Sequence, residues 1–157
     1  MSAKRTEEER VICQNRKARF EYELGDRYEA GLVLLGTEVK SLRMGKANLV
    51  DAYAKIEHGE AFLVGAHISP YVNAAYGNHD PQRRRKLLLR KKEIGKLLGK
   101  VQERGHSLVP LRLYFKNGRV KAELALAKGK KLHDKRQSMK EADSRRELGR
   151  ALKDLGR

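Results

Sequence analysis

Apolar and polar residues change places at every second position in several stretches of this chain, and at helical spacing in others. Phe20, Tyr22 and Leu24 alternate with Glu21 and Glu23, the period of a half-buried strand, and Gly25-Asp26 is expected to end it. A second apolar run covers residues 31–35. Thr37 is placed to cap a short helix through Ser41 to Met44, with Val39 and Leu42 on one face and Gly45 as its stop. Ala52, Ala54 and Ile56 alternate with Tyr53, Lys55 and Glu57, and after His58-Gly59 the residues Phe62, Val64, Ala66 and Ile68 alternate again. That is a hairpin. The polar stretch 69–81, with Pro70, Gly77 and Pro81, reads as a loop long enough to bind something. Ile94, Leu97, Leu98 and Val101 recur at helical spacing, with Gly105 closing the helix. Lys86 to Leu89 fits a strand or the start of that helix; a strand is favoured, because one continuous helix would turn some leucines to water. Leu111, Leu113 and Phe115 alternate with Arg112, Tyr114 and Lys116, Asn117-Gly118 supplies a type I′ turn, and Val120, Ala122, Leu124 and Leu126 return. Five or six short antiparallel strands with one or two helices predict a mainly β fold with short helices. The nearest plan is a small oligonucleotide-binding-type antiparallel β-barrel plus a basic C-terminal tail.

Charge changes this picture more than composition does. The 157 residues carry 36 Lys+Arg against 20 Asp+Glu, a formal net charge of +16. No apolar run approaches the roughly 18 residues that a membrane-spanning helix needs, so no membrane role is expected. Glu7, Glu8 and Glu9 stand where a signal peptide would be apolar, and the chain is expected to be cytoplasmic. The single cysteine, Cys13, rules out an internal disulfide and a cysteine-based zinc cluster. Residues 1–14 are net neutral, 15–127 carry +10 and 128–157 carry +6. Three parts follow: a flexible N-terminal segment (1–14), a nucleic-acid-binding barrel domain (15–127), and a basic tail (128–157). Residues 83–92 read RRRKLLLRKK, seven cations and no acid, a density that repels itself unless phosphates or counterions screen it. In the tail, residues 128–136 have no apolar face and are expected to be disordered in isolation. Beyond them Ser138 and Glu141 form a capping-box pair, and Leu148, Leu152 and Leu155 share one helical stripe. So short a helix is marginal alone and is expected to fold on a partner.

Catalytic signatures are sparse. The glycine spacing of residues 31–36 imitates a phosphate loop, but Thr37 and Glu38 stand where Lys and Ser/Thr are needed. The five histidines show no metal-ligand spacing, and no metal or cofactor is expected. Cys13 reads as a plain surface thiol. Glu29, Glu38 and Asp51 leave a magnesium-dependent ribonuclease as a formal alternative, although salt bridges to neighbouring cations account for them more simply. What is present suits RNA. Tyr114 lies between Arg112 and Lys116 on the strand face opposite Leu113, where it could stack on a base, and Lys40 and Arg43 could clamp adjacent phosphates from one helix face. In each case an ordinary amphipathic surface is the competing reading. His133 reads either as solvated or as stacked on a base.

The motifs NRKA (15–18), YEAG (28–31), GTEVKSLR (36–43), HISPY (67–71), DP (80–81), RKLLL (85–89) and GKKLHDKR (129–136) occur in that order. Together they resemble the SsrA-binding protein family of bacterial trans-translation. Phe20 stands where a histidine is common in that family, and the N-terminal segment is acidic where many relatives are basic. The resemblance implies a non-catalytic barrel that binds the tRNA-like domain of transfer-messenger RNA and accompanies it to stalled ribosomes. Carried over by position, Asn15, Lys17, Glu29, Lys40, Arg43, Arg85 and Lys86 fall in motifs of the RNA-binding body. Lys130, Lys131, His133, Asp134, Lys135 and Arg136 resemble the segment that enters the small-subunit decoding centre, followed by a helix in the empty messenger channel, and this favours stacking for His133. A monomer is expected. The alternative is a general ribosomal RNA-binding or assembly protein of the same fold.

Overall fold

Both hairpin turns form as their dipeptides predict: His58 and Gly59 take φ of 50° and 75°, Asn117 and Gly118 take 51° and 76°, the left-handed pair that a type I′ turn requires. The structure, a computed structural model, describes residues 8–102, 106–129 and 146. In chain order its elements are β1 (Glu9–Gln14), α1 (Ala18–Glu21), β2 (Tyr22–Leu32), α2 (Gly36–Arg43), β3 (Ala47–Asn48), β4 (Tyr53–Glu57), β5 (Glu60–Val64), β6 (His67–Ile68), β7 (Arg85–Leu88), α3 (Lys91–Gln102), β8 (His106–Lys116) and β9 (Arg119–Gly129).

The strands close on themselves. β8 pairs with β4, β4 with β5, β5 with β7, β7 with β2, β2 with β9, and β9 returns to β8, all antiparallel. This is the expected barrel, a ring of six strands each paired on both sides. The lone β3–β6 pair lies outside the ring. Along β9 the alternate residues Val120, Ala122, Leu124 and Leu126 join Leu63, Leu87, Leu108 and Leu113 in one core, with Ala30, Ala54 and Ala61 between them. Small residues interleaved with leucines are what a narrow barrel interior accommodates. Leu97 brings α3 onto the same core and is fully buried.

Where local pattern and structure differ, a long-range contact has intervened. Gly25-Asp26 does not end a strand: β2 runs through it, and a bulge between Leu24 and Arg27 in the pairing with β9 absorbs the irregularity. Before it, Ala18–Glu21 is one helical turn, so Phe20 lies outside the strand expected there. A second bulge, between Pro110 and Arg112 of β8, sits where a proline lacks the N–H that a ladder needs. It shifts the phase of the strand, so that Leu108 and Leu113 face the main core while Val109 and Leu111 pack with Ala18 of α1 in a second cluster.

The N-terminal segment is not free through residue 14. Residues 9–14 form β1, paired with β8 from Glu9↔Lys116 to Gln14↔Arg112, and Cys13 is half-buried there, its thiol pushed up to about 11 by burial. At the other end β9 continues two residues beyond the expected domain limit, with Lys128 opposite Glu23 and Gly129 opposite Tyr22. The expected tail from Lys130 onward, apart from the helical residue Arg146, and the expected helix stop at Gly105 lie outside the described residues. Thr37 does not cap α2. Leu35 is the N-cap residue, and its N–H donates to Glu38 Oε1 at 2.8 Å. The alternation expected from Phe62 to Ile68 breaks at Gly65, whose φ is +79° and where a Cβ would stand 2.9 Å from Asp51 O. Only glycine fits that crossing.

Candidate nucleic-acid interface

Four of the seven cations at 83–92 are already paired within the protein, and one of them is buried. Arg85 is fully buried on β7, with Nε donating to Glu38 Oε2 at 2.6 Å, Nη1 to Ala66 O at 2.7 Å and Nη2 to Pro81 O at 3.1 Å. Arg83 Nη2 donates to the other oxygen of Glu38 at 2.5 Å. Arg84 pairs with Glu57, its guanidinium 3.8 Å from the Phe62 ring centre, and Lys86 Nζ lies 3.3 Å from Glu60. Burial pushes the Glu38 carboxyl up, but the donors from Arg83, the Leu35 N–H and Arg85 outweigh it, and the group stays below its ordinary value. Arg85, expected to contact RNA, instead locks α2 to β7 and to the 69–84 loop. Lys86 remains half-exposed. Arg90, Lys91 and Lys92 are exposed and carry no ion pair among the described residues.

Lys40 and Arg43 do project from α2 into solvent, as their spacing predicts. Lys40 Nζ stands 5.4 Å from the ring centre of Tyr71, and the Arg43 carbonyl accepts a 2.7 Å hydrogen bond from Arg10 Nη2. Both heads are available to phosphates.

Tyr114 is a correction. It was expected on an open sheet face, yet it is 2% exposed. Its hydroxyl donates to Glu29 Oε2, and the Arg112 guanidinium lies 4.1 Å from its ring centre while reaching Glu123 and Glu9. The ring has no free face for a base. The Tyr114 hydroxyl, with Lys116 at 3.1 Å, holds the Glu29 carboxyl below the usual range, and burial beside that carboxylate pushes the phenol up. Glu29 keeps a partly exposed side chain.

Asn15 stitches β1 to the bulge of β8: its N–H donates to Leu111 O at 2.7 Å and its Nδ2 to Pro110 O at 3.1 Å. Its Oδ1 is buried and has no partner. Asn15 also lines a cleft of about 310 Å³ with Tyr22, Val50 and Tyr53, bordered by Glu21 and Asp51. Tyr53 and Val50 are each 46% exposed. Lys17 is exposed on the same segment and pairs with Glu21 at 3.3 Å. Among the described residues lining the cleft there is no cation, so it suits base edges and sugar hydroxyls better than phosphates. Sequence reasoning did not single out Tyr53 as a candidate, though its alternation with Ala52 and Ala54 places it outward. The tail residues Lys130, Lys131, His133, Asp134, Lys135 and Arg136 lie outside the described residues.

The carboxylates that a ribonuclease would need are apart in role and partner. Glu38 is buried between two arginines and Glu29 is held by Tyr114 and Lys116, while Asp51 borders the Asn15 cleft. Among the described residues no three His, Cys, Asp or Glu side chains are grouped to hold a metal, and no helix is long and apolar enough to cross a membrane.

A closed antiparallel barrel with unpaired surface cations and half-exposed tyrosines defines a nucleic-acid-binding barrel protein of the oligonucleotide-binding type. Within that class the chain belongs to the SmpB family, whose model, described as SmpB protein, matches residues 12–154. It is 60% identical over 147 residues to the SsrA-binding protein of Syntrophobacter fumaroxidans, covering 94% of this chain and 91% of that one. It is also 60% identical over 146 residues to the SsrA-binding protein of Thermosynechococcus vestitus, covering 92% and 95%. Among solved structures it is similar to a chain from "tmRNA-SmpB: a journey to the center of the bacterial ribosome", with 47% identity and a TM-score of 0.67, over 81% of this chain and 93% of that one.

Proposed function

We propose that this protein is an RNA-binding adaptor of trans-translation, which binds the tRNA-like domain of transfer-messenger RNA and delivers it to stalled ribosomes. The observation that carries this reading is the coincidence of family and fold: a family match across residues 12–154 and a closed barrel shared with a chain solved in the tmRNA-SmpB work. The barrel supplies the rigid half. Its Asn15 cleft offers tyrosines and a buried amide to base edges, and Lys17, Arg43 and Lys86 stand on its surface for phosphates, while Lys40 faces the separate groove beside Tyr71. Glu29 contributes by holding Tyr114 and Lys116 in place beside that surface.

The protein acts without catalysis, cofactor or metal, as a monomer in the cytoplasm. The segment from Lys130 carries the second half of the function. By sequence it offers Lys130, Lys131, His133, Asp134, Lys135 and Arg136 to the decoding centre, then an amphipathic stripe of Leu148, Leu152 and Leu155. A basic segment that gains order only in an unoccupied messenger channel makes vacancy itself the recognised signal.

The test separates the halves. Because β9 runs to Gly129, the chain should be ended there rather than after Ala127. The shortened protein is expected to bind the tRNA-like domain as the full chain does and to fail in tagging on stalled ribosomes. Loss of both properties together would show that the halves are not separable. No observation favours the general assembly-protein reading.

A further inference from the structure

Between α2 and the loop at 69–79 runs a groove of about 640 Å³ that shares no lining residue with the Asn15 cleft. Its frame is fixed. His79 is 6% exposed, its Nε2 donates to Ile68 O at 2.9 Å, and Thr37 Oγ1 lies 2.8 Å from its Nδ1. Since Ile68 O only accepts, the ring proton of the neutral histidine sits on Nε2 and the Thr37 hydroxyl donates to Nδ1. Asn78 clamps the loop in both directions, Nδ2 donating to Tyr71 O at 2.8 Å and Oδ1 accepting from the Tyr71 N–H at 3.0 Å.

On this rigid base sits an unusual surface. Tyr76 is fully exposed and Val72 is 77% exposed. Lys40 faces the groove across the Tyr71 ring with no ion pair among the described residues. Not one Asp or Glu is found among the described residues lining the groove, whereas Glu21 and Asp51 border the Asn15 cleft. A free aromatic face, a cation without a counter-charge, amide and hydroxyl groups and no carboxylate together match an unstacked nucleotide: the base has a ring to lie on and the phosphate has an ammonium.

We propose that the groove between α2 and the 69–79 loop holds an unpaired nucleotide of ribosomal RNA, with the base on Tyr76 and its phosphate on Lys40. The assignment to ribosomal RNA rests on the function above, in which the tRNA-like domain occupies the separate face around Asn15.

The chain contains no tryptophan, so Tyr76→Trp in the full-length protein creates a single reporter at a position with no packing to lose. Titration with purified ribosomes carrying the bound tRNA-like RNA is expected to quench its fluorescence, and titration with that RNA alone is expected to leave it unchanged. Tyr76→Ala should weaken ribosome binding by about 5- to 150-fold, the range for losing a stacked base, while Tyr76→Phe preserves it. Lys40→Gln should weaken it and flatten its salt dependence. Unchanged fluorescence on ribosomes, or Tyr76→Ala binding them as the parent does, would overturn the proposal. Quenching by the tRNA-like RNA alone would overturn the ribosomal assignment. Gel shift of the parent with the tRNA-like RNA, measured first, reports on the adaptor function independently of the groove.

Discussion

Replacing Glu38 by glutamine removes one negative charge from the most buried polar cluster of the barrel and leaves its shape intact. Glu38 and Arg85 are both fully buried, and the guanidinium has spent its donors on Glu38, Ala66 O and Pro81 O, with Asp80 O at 3.4 Å. In the variant a buried cation faces a neutral amide, whose NH₂ group meets the donor of either Arg83 or Arg85 where each had a carboxylate oxygen. Two unit charges about 4 Å apart attract by about 4 kcal/mol at an effective dielectric constant of about 20. Breaking a buried pair from one side costs about 3–5 kcal/mol. With a urea slope near 2 kcal/mol per M, the unfolding midpoint should fall by roughly 2 M, with the slope itself unchanged. The pH dependence gives a second readout. The folded state holds the Glu38 carboxyl below its usual 4.5, so it binds fewer protons than the unfolded chain. The stability from this group is therefore present above pH 4.5 and is lost as pH falls through the lower folded value. Glu38→Gln should lose this acid limb. Equilibrium urea unfolding between pH 3 and 7 checks both expectations. A variant within about 0.5 M of the parent midpoint and with the same acid limb would refute the idea that this ion pair pins α2, and with it Lys40 and Arg43, to the barrel.

Other expectations follow from the same geometry. Tyr114→Phe removes the hydroxyl that lowers the Glu29 carboxyl; stability near pH 7 should fall by about 1 kcal/mol, less below the Glu29 folded value, and an undiminished difference at acid pH would contradict the assignment. Cys13, with its thiol pushed up to about 11, should be alkylated at pH 8 at least about 100-fold more slowly than a free cysteine; labelling at the free rate would show that β1 does not stay on β8. Replacing Arg90, Lys91 and Lys92 together by glutamine should reduce the slope of log affinity against log salt by up to about 2–3 for the tRNA-like RNA, whereas Arg84→Gln, which loses a cation already paired with Glu57, should leave that slope nearly unchanged.

The difference between Arg84 and Lys91 also marks what the sequence reveals. Alternation and turn chemistry made both hairpins legible, because a type I′ dipeptide between two-residue periods is a local signal, and so was the strand nature of Arg85–Leu88. Bulges at Leu24/Arg27 and Pro110/Arg112 were not legible, since each depends on register against a strand far away in the chain. The same distance hid β1, whose partner begins about a hundred residues later. Of the residues expected at the site, Lys40 and Arg43 point into solvent as predicted, because helical spacing fixes their direction. Arg85 and Tyr114 misled for one reason: charge and aromaticity are visible in sequence, but the carboxylates that consume them, Glu38 and Glu29, arrive through folding. Tyr76 was within the loop expected to bind, and only its full exposure singles it out.

An adaptor of this kind needs its folded barrel to distinguish one structured RNA from RNA in general. Competition binding measures this directly, with labelled tRNA-like-domain RNA on the full chain at near-physiological salt, displaced by itself or by a ribosomal RNA fragment of equal length. The fragment should compete only at roughly 10³-fold higher concentration, the lower end of what separates specific from non-specific nucleic-acid binding. Equal competition by the two RNAs would contradict it.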